Sequence, residues 1–185
     1  MRQFLIVSFA VVGIAAGVVG CDNSSTDTAT AAKSETAQAA EPLPAWLIAT
    51  TRPSGAAQDV AAAKKSAKDG EKVVVRGRIG AQKEPLAANR AIMTIADVSL
   101  PTCDKTPMKA RKTPWDSCCQ PEEELTAKSA TVQVVGADGK PLKATLQGAG
   151  GMKPGSEVVV AGTAKVPPGG GDALVIEAEQ IYVTP

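Results

Sequence analysis

The sequence predicts a mainly β domain of five strands, and three observations carry that expectation. From Glu71 onward, apolar side chains tend to recur at every second position, the period of a strand with one buried face. The runs are short and rich in Val and Ile, which suit a pleated, half-buried surface. Clusters of Gly, Pro, Asn and Asp separate them, as turns require.

The first strand is expected from Glu71 to Ile79. Val73, Val75, Gly77 and Ile79 share one face, and Val74, Arg76 and Arg78 share a wetter one. Gly77 in mid-strand points to a bend or a close backbone approach. Residues 81–89 are read as a loop. A second strand follows at about 90–98 with Ile92, Met93, Ile95 and Val98, and a third at about 130–136 with Val132, Val134 and Val135. Gly136-Ala137-Asp138-Gly139 turns the chain. A short strand or one helical turn is expected around Leu142 and Leu146. The fourth strand, about 156–165, carries Val158, Val159 and Val160. The fifth, about 173–183, changes phase: Leu174, Ile176 and Ala178 share one parity, Ile181 and Val183 the other. A bulge or bend between them would account for the slip.

Two stretches, Glu71–Ile79 and Lys153–Gly162, resemble the bent first strand and the turn plus fourth strand of the oligonucleotide/oligosaccharide-binding (OB) fold. The resemblance implies a small five-stranded Greek-key barrel over about 71–183. A β-sandwich or another small barrel is the alternative. The OB fold hosts many unrelated functions, so the resemblance bears on architecture.

Before the strands, Ser54 is a plausible N-cap for a weakly amphipathic helix over about 55–69, closed by Asp69-Gly70 and lying on the surface. The ordered domain is expected to start near Leu43 and run to 185. Residues 21–42 form a tether: they hold no large apolar side chain and cannot offset the entropy of ordering.

The chain opens with Arg2, followed by an uncharged, largely apolar run from Phe4 to Gly20. Such a run is a signal-peptide h-region, slightly short for a spanning helix and lacking a basic stop-transfer flank. Val18-Val19-Gly20-Cys21 resembles the lipobox of bacterial lipoproteins. That resemblance implies cleavage after residue 20, acylation of Cys21 (palmitate included) and firm anchoring at the cell envelope, facing the periplasm or exterior. An ordinary secretory signal, with Cys21 in a disulfide, is the alternative.

Removal of residues 1–20 leaves 19 basic against 19 acidic residues, because Arg2 is lost from the 20. A neutral chain offers no reason to expect nucleic acid as a partner. Aromatics make up 3% of the residues, too few for recognition by ring stacking. Histidine is absent from the sequence, which excludes Ser-His-Asp and Cys-His catalysis and histidine-ligated metals.

Residues 99–129 interrupt the strand series with a loop too long for an ordinary hairpin. It holds Cys103, Trp115, Cys118 and Cys119; basic residues Lys105, Lys109, Arg111 and Lys112 precede Trp115, and acidic residues Asp116, Glu122, Glu123 and Glu124 follow it. Three chemistries fit. A disulfide from Cys103 to Cys118 or Cys119 would staple the loop in an oxidising compartment. Thiolates of Cys103, Cys118 and Cys119, with Met108 or a carboxylate, could hold Cu(I) or Zn. Thiol redox chemistry is the third, without a Cys-x-x-Cys motif to support it. Trp115 is expected to cover the loop's own small core.

These features together suggest a non-catalytic, membrane-anchored lipoprotein with a binding or structural role, no cofactor, and an envelope protein or small ligand as partner. The alternatives are a metal- or redox-linked protein acting through the cysteine loop, and an oligonucleotide- or oligosaccharide-binding module.

Overall fold

The computed structural model describes residues 41–103, 113–117, 119–168 and 173–185, all within one compact unit. The expected leader, Cys21 and the expected tether up to residue 40 lie outside the described residues. Among the described residues there are six strands: β1 (Gln58–Asp59), β2 (Lys72–Ile79), β3 (Ile92–Ala96), β4 (Ser129–Gln133), β5 (Glu157–Lys165) and β6 (Val175–Val183). They are accompanied by the short helices α1 (Val60–Ser66) and α2 (Glu122–Ala127) and by a 3-10 turn at Ala149–Gly151.

The pairing runs β2-β3-β4-β6-β5 and returns to β2, so the five long strands close into a barrel. β4 and β6 are parallel and the other barrel pairs antiparallel. This is an OB-like barrel, as expected. Closure removes the free sheet edges that would otherwise invite pairing with other chains.

The interior follows the period-two pattern. Val75, Ile79, Met93, Ile95, Val132, Val158, Val160, Ile176 and Ile181 are buried in one core. The glycine in β2 has the reason its sequence suggests: a Cβ on Gly77 would lie 2.9 Å from the Ala96 carbonyl oxygen. The phase slip in the last strand is a bulge. Ala161 pairs with Gln180 and Gly162 with Ala178, leaving Glu179 as the extra residue.

Three expectations are corrected. The N-terminal helix is shorter than 55–69, because Gly55 sits at φ +111 and Gln58–Asp59 pair with β2 instead of coiling. It does not merely lie on the surface: Val60 and Ala63 are fully buried in the barrel core. The segment around Leu142 and Leu146 is neither a regular strand nor a helix. Pro141 makes one isolated bridge to Val135, and Leu146 is buried without regular structure. Glu41 is tied to this same segment: its amide donates to the Lys143 carbonyl at 2.9 Å, and the Lys143 amide donates to the Glu41 carboxylate at 2.8 Å.

Candidate functional site: the cysteine loop

The loop leaves β3 at Asp97 and re-enters the barrel at β4. Asp97 organises its base. Its carboxylate accepts from the Ala61 amide at 2.9 Å, the Ser99 amide at 2.9 Å and the Ser99 hydroxyl at 2.7 Å. The first of these caps α1, whose neighbouring Asp59 makes no side-chain cap. Burial alone would raise the Asp97 pKa. The hydrogen bonds from Ala61 and Ser99, with the charge of Lys128, outweigh it and hold the carboxyl below its ordinary value.

Asp97 was not singled out from the sequence, although Asp-x-Ser is the pattern of a side chain closing its own turn. Asp97→Asn should destabilise the domain by about 2 kcal/mol, the scale of a lost cap and charged hydrogen bonds. Because the folded-state pKa is lowered, this contribution is complete above the unfolded carboxyl value, near pH 4. It is lost as pH falls through the folded value. Urea titrations of the variant and the wild type should therefore converge in acid and stay apart at neutral pH.

Above this base the loop packs on the barrel through a second small core. Ala81, Ala96 and Leu100 are buried together, with Leu125 of α2 against them. Arg78 Nη2 donates to the Leu100 carbonyl at 2.7 Å. Helix α2 was not foreseen in the loop. Its only large apolar residue is Leu125, so no helical period shows in the sequence. Glu124 and Lys128 form an i,i+4 pair at 2.8 Å, which fastens the end of α2.

Trp115 is half-buried, and its indole Nε1 donates to the Lys83 carbonyl at 3.1 Å. Its own carbonyl lies against Gly80, where a Cβ would be 2.6 Å away. Asp116 bridges to Ala81, and the Asp116 carbonyl accepts from the Cys103 amide at 2.8 Å. Backbone contacts thus tie both described arms of the loop to the barrel and to each other.

Among the described residues expected to carry chemistry, the structure brings Cys103 and Cys119 together. Cys103 Sγ and Cys119 Sγ lie 3.6 Å apart. Cys103 is buried and Cys119 exposed. Cys118, Met108 and the basic residues Lys105, Lys109, Arg111 and Lys112 lie outside the described residues. Among the described residues, no group of three or more acidic, Cys or His side chains is placed to hold a metal ion, and no helix is long and apolar enough to cross a membrane.

The barrel surface places Arg76 3.8 Å from Glu157 and turns Arg78 to Leu100, so both are engaged. Trp46 is the one large apolar side chain strongly exposed among the described residues, beside a shallow groove formed with Ala161, Glu179 and Gln180. No protein-family model, curated protein or solved structure matches the chain.

Proposed function

We propose that this chain is an exported lipoprotein, held to an envelope membrane by lipid on Cys21, whose barrel serves as a non-catalytic binding or structural module. The observation that carries the reading is the uncharged run from Phe4 to Gly20 ending directly at Cys21. An OB-like barrel suits the role, since it is a stable scaffold that lends its surface to many kinds of contact. The small core of Ala81, Ala96 and Leu100 supports a structural part for the cysteine loop, which is packed on the barrel.

The approach of Cys103 and Cys119 to 3.6 Å favours a second reading, in which thiol chemistry in the loop carries the activity. An oligonucleotide- or oligosaccharide-binding role has less support, given the engaged arginines and the scarcity of aromatics.

Cys21→Ser tests the anchoring. Wild type should incorporate labelled palmitate and fractionate with membranes. The variant should incorporate none and keep its leader, migrating more slowly. A variant that fractionates and migrates as the wild type does would overturn the lipoprotein reading.

A further inference from the structure

We propose that Cys103 and Cys119 form a reversible disulfide that exchanges electrons with a protein dithiol, rather than a permanent staple. The inference goes beyond anchoring and stands whether or not Cys21 carries lipid. Three observations support it.

The two sulfurs are neighbours in space although 16 residues apart in sequence, at 3.6 Å. A disulfide needs about 2.05 Å, and the exposed Cys119 is the side chain with room to turn toward the buried partner.

The two ends differ in access. Cys119 is exposed, whereas Cys103 is 2% exposed and its amide is held by the Asp116 carbonyl. An incoming thiolate can therefore reach only the Cys119 sulfur. Exposed disulfides are the labile ones, and buried structural ones resist reduction.

The loop is also held without the sulfurs. The Ala81–Ala96–Leu100 core, the Asp97 hydrogen bonds, the Arg78–Leu100 contact and the Trp115–Lys83 bond all act independently of them. The described arms of the loop, secured this way, keep their place as dithiol or disulfide, which a redox site needs and a staple does not.

The exchange balances as follows. One thiolate of the partner dithiol attacks Cys119 Sγ, the Cys103–Cys119 bond breaks, and Cys103 leaves as thiolate and takes a proton. The second partner thiolate attacks the mixed disulfide and releases Cys119, which is protonated in turn. Two electrons and two protons pass to the cysteine pair, and the partner becomes a disulfide. The reverse sequence oxidises the pair.

The test uses full-length protein carrying Cys21→Ser, purified in detergent, so that three cysteines remain. It is equilibrated in glutathione buffers of graded ratio, alkylated and analysed by mass spectrometry. Cys103 and Cys119 should gain and lose the label together and reversibly, with a cooperative thermal melt in both states. Cys118→Ser should leave the midpoint in place. Cys119→Ser, at an exposed position that does not threaten folding, should abolish the two-electron transition. The proposal is overturned if the bond yields only after unfolding, if Cys103 pairs with Cys118 instead, or if no bond forms and copper or zinc copurifies with reduced thiols.

Discussion

Val75→Asp is expected to abolish the cooperative thermal transition of the domain. Val75 lies at the middle of β2, opposite Val160 of β5, with no exposed surface. The substitution forfeits about 1.5–3 kcal/mol of apolar burial. It also places a carboxyl among aliphatic side chains with no partner. Charged, that group is very costly; protonated, it still costs about 1–3 kcal/mol as an unsatisfied polar group. The sum approaches or exceeds the lower part of the usual 5–15 kcal/mol for a whole domain. Two controls isolate the cause. Val75→Ala removes volume without charge and should cost about 2 kcal/mol. Lys153→Asp adds the same carboxyl at an exposed position and should stay within about 0.5 kcal/mol of wild type. Circular dichroism melts distinguish the three. A Val75→Asp protein that melts like Lys153→Asp would place residue 75 outside the barrel.

Val75 was legible because its information is local. Alternation along β2 and β5 reports which face is buried, and the parity change between Ala178 and Ile181 reports the bulge at Glu179. The features that escaped are held by distant partners. The short α1 begins where it does because Gly55 and the β1–β2 pairing precede it and Asp97, 36 residues away from Ala61, caps it. Ser54 satisfied the local rule for a cap, but no local rule sees a carboxylate arriving from β3. The second core has the same character. Ala81, Ala96, Leu100 and Leu125 show no common period, because they come from four separate segments. The cysteines were legible as candidates from composition. Their relation was not: only the fold sets Cys103 inside, Cys119 outside and their sulfurs in contact. That asymmetry is the feature on which the proposed exchange chemistry rests.

Gly162→Ala should be among the most damaging single-carbon changes in the chain. A Cβ at Gly162 would stand 2.1 Å from the Glu177 carbonyl oxygen, 2.9 Å from the Glu177 carbonyl carbon and 3.0 Å from the Ala178 Cα. All three are backbone atoms, so no side chain can swing aside. Relief requires β5 and β6 to separate at the bulge, where the register shifts between Ala161 and Gly162. β5 is also bonded to β2 on its other side, with Gly162 opposite Val73. Moving it therefore strains the seam that closes the barrel. Overpacking of this kind typically costs about 1–3 kcal/mol and more where the obstacle is rigid, so a loss of at least about 3 kcal/mol is expected. Gly77→Ala meets one carbonyl oxygen at 2.9 Å, the Val60 Cγ2 at 3.1 Å and the Ile95 Cβ at 3.2 Å, all farther than the 2.1 Å obstacle at Gly162, and should fall below it. Gly151→Ala has nothing within 4 Å and carries only the penalty of φ +83, about 1–2 kcal/mol. Chemical denaturation of the three variants should rank Gly162 above Gly77 above Gly151. If Gly162→Ala instead unfolds at the denaturant concentration of Gly151→Ala, the two strands do not meet as closely as this barrel requires, and the bulge at Glu179 rather than the glycine sets their approach.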